Sequence, residues 1–409
     1  MDQPQSHIVV LGAGHAGGSV VAFLRQYGTA APITLIGDET ALPYQRPPLS
    51  KAWLKGETTE AKLLLRPEKF YADQNITLRL GARAARIDRP NRTLLLEDGE
   101  KLNYSHLILA TGARPRRLPA VDGLDGILHL RTMQDAEQIR QAMQPDGTLV
   151  VVGGGYVGLE VAATARSFGM NVVVVERENR LLARVASEPF GSFIEDSFRH
   201  RGVRIELGCT IETFENEAGR ISAVRLSNGN RIACNAVLIG IGAVPNDELM
   251  REAGLICSDG VTVDHAARTS DEAIFAIGDC TCRPLPLYDT SGRLESVPNA
   301  VEQARQAASA ICQRALPKPE VPWFWSDQFD LRIQIAGLRI GVTESIVRGD
   351  PASSSFAVFH LDKDAAVRAV EAVNATTDFM AGKQFINQGK RVVREKLSNA
   401  ALSLQDIAA

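Results

Sequence analysis

VVVGGGYVGLE, residues 150–160, is the stretch on which the reading of this chain turns. Four apolar residues, 149–152, run into Gly153, Gly155 and Gly158, and residues 156–168 carry a helical pattern closed by Gly169. A strand, a tight turn and a helix N-terminus are therefore expected in that order. The first glycine permits the turn, the second lets a pyrophosphate approach the backbone, and the third lets the helix pack on the strand. Unpaired N–H groups and the helix dipole then hold the phosphates. A second strand over 171–175 ends at Glu176, 18 residues beyond the third glycine, where a ribose 2′-hydroxyl is usually held.

One such glycine pattern is weak, because glycine-rich turns also serve as plain loops. The chain has two. Near its start, residues 8–11 lead into Gly12, Gly14 and Gly17, a helix is predicted over about 16–27, and a strand over 33–36 ends near Asp38, 21 residues past the third glycine. Two complete patterns, each with strand, helix and acid in order, predict two dinucleotide sites.

The chain has 409 residues, enough for two or three domains with sizeable cores. Apolar content of 45% and charged content of 23% are those of an ordinary globular protein. No apolar run approaches the roughly 18 residues that span a bilayer. The opening MDQPQSH lacks the basic and apolar regions of a signal peptide. A cytoplasmic protein with no membrane partner is expected. A net charge of −3 offers no global attraction to nucleic acid, so any electrostatic partner must be met by a local patch. Six cysteines all lie from Cys209 onward, with Cys280 and Cys282 the closest pair, and none shows metal-ligand spacing; no metal site is expected. Cys280 and Cys282 read as a buried small residue and a loop thiol.

Residues 43–51, PYQRPPLSK, form a proline-stiffened loop that cannot be helix interior. Its Arg46 and Lys51 are either solvated or held against a bound anion and ring. Residues 104–110 read as a buried strand leading into Thr111-Gly112-Ala113, and 236–242 repeat that pattern. These two strands flank the second glycine pattern. The chain therefore reads as one nucleotide-binding domain, 1–114 with 243–320, into which a second, 115–242, is inserted. The first domain's return carries 274–279, IFAIGD, an apolar strand ending in Asp279 at the edge where open α/β sheets place ligands. A helix follows over 299–315, and Pro317, Pro319 and Pro322 mark a boundary. Beyond it, Trp323 and Trp325 precede short alternating segments at 332–336 and 356–360, with helices expected from about 365: a small α+β domain over 321–409.

Taken together, these motifs resemble the FAD-dependent ferredoxin reductases that serve bacterial oxygenases, over nearly the whole chain. The resemblance implies an α/β fold of the glutathione-reductase type, with two Rossmann-like domains, the second inserted in the first, and a small α+β C-terminal domain. It implies that FAD is bound through Gly12, Gly14, His15, Ala16, Gly17, Asp38, Arg46, Lys51, Ala110, Thr111, Gly112, Gly278, Asp279, Ser296 and Val297, with Glu295 alongside and Trp325 facing the flavin edge. NADH is implied at Gly153, Gly155, Tyr156, Val157, Gly158, Glu160, Glu176 and Gly242. Lys51 and Glu160 correspond to a lysine–glutamate pair beside flavin N5, the candidate catalytic residues, although 109 positions separate them. Three places depart from the family pattern: Pro298 where glutamine is common, Phe329 where tyrosine is common, and Ala375-Thr376-Thr377 in place of a more basic stretch.

The implied activity is transfer of electrons from NADH through FAD to a 2Fe-2S ferredoxin that supplies a cytochrome P450 or Rieske-type oxygenase, by a monomer or weak homodimer. A flavin-dependent NADH oxidase or peroxidase needs a reactive cysteine near the flavin, and the first 208 residues hold none. A rubredoxin or nitrite-reductase partner stays open within the enzyme class. An interaction protein of the apoptosis-inducing-factor type shares the fold. Residues 383–396 carry five cations against Glu395, but the acidic balance and the opening residues argue against nucleic acid. Arg305, Arg314 and Lys318, against Glu302, form the local basic patch expected to meet an acidic ferredoxin.

Overall fold

The computed structural model describes residues 6–121, 123–404 and 406–407. The chain divides into two compact units: Met1–Gln45 with Thr59–Arg114 and Val244–Pro322, and Arg46–Thr58 with Pro115–Ala243 and Trp323–Ala409.

The first unit is built on a five-stranded parallel sheet in the order Ile274–Ala276, His106–Leu109, Ile8–Leu11, Ile33–Gly37, Ile76–Leu80. Four of its strands are near-continuous buried runs because both faces are covered, and the edge strand Ile76–Leu80 alternates apolar and polar residues. Ile8 and Val10 point to one face, where helices His15–Gln26 and Val297–Ile311 pack through Val20, Val21 and Leu24 against Ala300, Ala304, Ala307 and Ala308. The small alanines let the two helices approach closely. Val9 and Leu11 point to the other face and meet Ile87, Leu94 and Leu96 of a three-stranded antiparallel sheet. This period-two division is what a pleated strand imposes.

The second unit holds the parallel sheet Arg204–Leu207, Asn171–Glu176, Thr148–Val152, Ala236–Ile239, Ile127–Leu128, with a three-stranded antiparallel sheet packed on it through Val224 and Leu226. It also holds an antiparallel sheet of Trp323–Gln328, Leu331–Gly337, Val367–Val373, Ser355–Leu361 and Glu344–Asp350, in that spatial order. Around this sheet helix begins at Thr376–Gln388, later than expected, and Arg394–Leu397 follows. VRAVEAV, with its alanines, Glu371 and Arg368, has helical propensity, but six of its seven residues are buried as a central strand, and packing on both sides overrides the local preference. Among the described residues no helix is long and apolar enough to cross a membrane.

Candidate functional site

In the first unit, every glycine-terminated strand delivers its loop to the carboxyl edge of the same sheet. Gly12 follows Ile8–Leu11, Ala110 to Gly112 follow His106–Leu109, and Gly278 with Asp279 follow Ile274–Ala276. Gly12 sits at φ +115°, and a Cβ there would lie 2.1 Å from the Ala110 carbonyl oxygen. A Cβ on Gly17 would lie 1.9 Å from the Gly12 oxygen, so only glycine lets the helix close on the turn. His15 and Ala16 open the helix His15–Gln26, which starts at Gly14 with no side-chain cap and no acid in its first turn. A helix start with neither a capping side chain nor an acid suits an anion. Gly278, at φ +80°, is fixed by its N–H to Gln303 Oε1, 2.8 Å, and the Thr281 hydroxyl lies 2.9 Å from both the Gly278 carbonyl and Gln303 Oε1. Thr111 and Asn246 exchange two bonds, Oγ1 to the Asn246 carbonyl at 2.7 Å and Nδ2 to the Thr111 carbonyl at 2.9 Å. Ser296 caps Val297–Ile311 by accepting from Asn299 N–H at 3.2 Å. Pro298 is in the first turn of that helix, where proline costs nothing, so this departure from the family pattern is structurally benign.

Asp38 is placed differently from the acid of the second pattern. Leu11 pairs with Ile36, and Val152 pairs with Val175, so the position corresponding to Glu176 is Gly37, and its missing side chain would point at Ala13. Asp38, one residue on, faces solvent at 61% exposure with Arg83 at 3.6 Å. Glu39, past the end of the strand and half-buried, accepts from Tyr44 Oη at 2.6 Å.

The second unit repeats the cradle. Gly153 (φ +101°) follows Thr148–Val152, and a Cβ there would lie 2.5 Å from the Gly240 oxygen; Gly158 packs on the Gly153 carbonyl. Gly155 precedes Tyr156–Ser167, again with no side-chain cap and no acid in the first turn, and a Cβ on Gly155 would meet no protein atom within 4 Å. Gly242 (φ +106°) is likewise open, and Val157 is 51% exposed. Glu176 ends its strand with both oxygens directed, Oε2 accepting from Gly154 N–H at 2.7 Å and Oε1 from Glu178 N–H at 2.9 Å. Arg180 donates to the carbonyls of Leu181, Ala183, Ala186 and Ser187, which turns it inward, while Arg177 pairs with Glu178 at 3.0 Å.

The lysine and glutamate 109 residues apart do meet. Pro47–Ser50 makes one 3₁₀ turn that presents Lys51, whose Nζ lies 2.7 Å from Glu160 Oε2. Ser50 Oγ donates to the same oxygen at 2.5 Å, and Ser326 Oγ donates to Oε1 at 2.6 Å. Gln328 Nε2 donates to Ser326 Oγ at 3.1 Å, which commits the serine proton to Glu160. Alternation along Trp323–Gln328 explains this: Phe324, Ser326 and Gln328 face the helix Tyr156–Ser167, with Phe324 edge-on to Tyr156 at 4.9 Å, while Trp323 and Trp325 stack at 5.7 Å on the other side. Ser50, Ser326 and Gln328 are the partners of this pair to which sequence reading gave no role of their own, although Ser50 lies inside the 43–51 loop and Ser326 adjoins Trp325. Arg46 Nη1 donates to the Arg131 carbonyl at 2.6 Å. Burial pushes the Tyr156 hydroxyl well above its ordinary ionisation range, with the Glu371 charge acting in the same direction. Burial likewise raises the Cys280 thiol.

The basic patch is less free than its composition suggests. Arg305 pairs with Glu320 at 3.1 Å and lies over the Phe23 ring, and Arg314 lies over the Tyr27 ring at 4.8 Å.

The pyridine nucleotide-disulphide oxidoreductase family matches residues 6–304, and a reductase C-terminal family matches residues 323–408. The chain is 44% identical over 404 residues to a probable ferredoxin reductase of Castellaniella defragrans, covering 98% of each. It is 38% identical to the biphenyl dioxygenase system ferredoxin–NAD(+) reductase component of Paraburkholderia xenovorans, again over 98% of each. Among solved structures, the covalent putidaredoxin reductase–putidaredoxin complex matches with a TM-score of 0.96 at 40% identity, covering 99% of this chain and 98% of that one.

Proposed function

The chain belongs to the pyridine nucleotide-disulphide oxidoreductase family, among its FAD-dependent ferredoxin reductases, and we propose that it passes electrons from NADH through FAD to a 2Fe-2S ferredoxin serving a cytochrome P450 or Rieske-type oxygenase in the cytoplasm. The observation that carries the reading is the duplicated cradle, in which two parallel sheets each end in a glycine turn and an uncapped helix with no acid in its first turn. Both fit a dinucleotide pyrophosphate.

We assign FAD to the first cradle: Gly12, Gly14, Ala16 and Gly17 at the pyrophosphate, Glu39 or Asp38 at the ribose, and Asp279 at the ribityl hydroxyls. NADH goes to the second, with Gly153, Gly155 and Gly158 at the phosphates and Glu176 accepting from the ribose. FAD supplies the conversion of a two-electron hydride into single electrons. The protein's own contribution is binding and fixed charge. Glu160, held on both oxygens by Ser50 and Ser326, fixes the Lys51 ammonium in one place, where it stabilises negative charge that develops on a bound ring. With no cysteine before Cys209, electrons leave without a thiol relay.

Anaerobic titration of the yellow holoprotein with NADH, followed by reduction of the host's own ferredoxins and rubredoxins, tests the assignment. Stoichiometric bleaching of FAD and faster transfer to a ferredoxin than to a rubredoxin are expected. Colourless protein that binds no added FAD refutes it.

A further inference from the structure

Glu371 is in the strand Val367–Val373 and is 1% exposed. A carboxylate that deep is retained where donors surround it. Ser187 N–H donates to Oε1 at 2.9 Å, and the Ser187 hydroxyl donates to Oε2. His360 Nε2, wholly buried, lies 3.1 Å from Oε2, while its Nδ1 is 2.8 Å from Ser345 Oγ; Arg339 Nε is 3.9 Å from Oε1. Ser187 precedes the helix Glu188–His200, yet its hydroxyl does not cap that helix. It is turned to the acid instead.

Ser187 also closes residues 177–187, which follow Glu176. Arg180 gathers four carbonyls of this segment, and Leu182 N–H donates to the Gly154 carbonyl at 3.0 Å, with Leu182 itself at φ +55°. Leu181, fully buried, packs so closely on Gly154 that a Cβ there would lie 2.6 Å from its Cδ2. The segment is thus pinned at one end by Glu371 and along its length by the glycine turn. Tyr156, the residue after Gly155, feels the charges of both Glu371 and Arg339. The acid that holds this segment comes from the C-terminal sheet, 184 residues along the chain from Ser187.

We propose that Glu371 is a positioning residue for the nicotinamide coenzyme: it fixes Ser187, and through Ser187 it holds residues 177–187 against Gly154 in the shape that accepts the dinucleotide. This rests on the coenzyme reading of the Gly153 cradle given above.

The experiment measures NAD+ affinity calorimetrically and steady-state NADH kinetics on FAD-loaded parent, Glu371→Gln and Ser187→Ala. Glu371→Gln keeps the volume and removes the charge; Ser187→Ala removes a single hydroxyl and decides the matter alone if the first variant does not fold. Changes away from a bound ligand shift its affinity by factors on the order of threefold to tenfold. A rise of that size in the NAD+ Kd and in KM for NADH is expected in both variants, with kcat at saturating NADH within about twofold of the parent and flavin content unchanged. A role in stability alone lowers Tm without moving Kd, so unchanged Kd in the folded variants overturns the inference while the coenzyme reading survives. A parent that binds neither NAD+ nor NADP+ overturns both.

Discussion

Removing either partner of the Lys51–Glu160 pair strands a charge in a poorly hydrated place. The two side chains are 18% and 7% exposed and 2.7 Å apart. At that distance, with an effective dielectric of about 20, the bare attraction is about 6 kcal/mol, and desolvation of both groups offsets most of it. Lys51→Ala leaves Glu160 with two hydroxyl donors from Ser50 and Ser326 but no countercharge. Glu160→Ala leaves the ammonium with the Pro47 carbonyl at 3.2 Å and Ser50 Oγ at 3.3 Å. Each single variant should slow reduction of the bound flavin by NADH. The double variant removes both stranded charges, so its loss should fall short of the combined losses by about 1–3 kcal/mol, a factor of about five to over a hundred in rate. Anaerobic stopped-flow measurement of the four proteins, each checked for bound FAD, completes the cycle. Strictly multiplicative losses would show that the two residues act separately and would refute the assigned pairing.

Four further outcomes follow from the same geometry. NADH should exceed NADPH in kcat/KM by about tenfold or more, since a 2′-phosphate would meet the Glu176 carboxylate while Arg180 is turned to backbone carbonyls; equal values would mean Arg177 or Arg180 swings outward. Gly155→Ala should fold and keep FAD yet bind NADH about tenfold more weakly or worse, because its Cβ meets only ligand space, whereas Gly12→Ala should lose FAD or fail to fold through its 2.1 Å clash; normal NADH affinity in Gly155→Ala would place the phosphates elsewhere. Arg305→Glu and Arg314→Glu should slow ferredoxin reduction at low salt more than at high salt and leave ferricyanide reduction unchanged; parent-like ferredoxin rates at every salt concentration remove this docking face. Because burial raises the Cys280 thiol, its thiolate is scarcer at any given pH, and maleimide treatment at neutral pH should leave Cys280 unmodified; mass-spectrometric labelling of Cys280 in folded protein would contradict this.

The parts of the molecule that the sequence by itself determined are those whose physics is local. Each cradle is a strand, a glycine turn and a helix within about thirty residues, and the turn needs glycine because Gly12 and Gly153 sit at φ +115° and +101° and Gly17 closes on the Gly12 carbonyl. The apolar runs 8–11 and 149–152, the helices behind them and Glu176 could be read from order and spacing. Residues whose meaning depends on another part of the chain could not. Strand register, pairing Leu11 with Ile36, puts Gly37 where Glu176 stands in the second pattern and leaves Asp38 just past the strand, exposed to solvent. VRAVEAV becomes a central strand because its neighbours bury it. Lys51, Ser50 and Ser326 converge on Glu160 from 109, 110 and 166 residues away, and Glu371 reaches Ser187 across 184. A serine or a glutamate in a sequence carries no mark of such a partner. Only the tertiary structure decides it, because a buried carboxylate is tolerated where the fold brings donors to both of its oxygens.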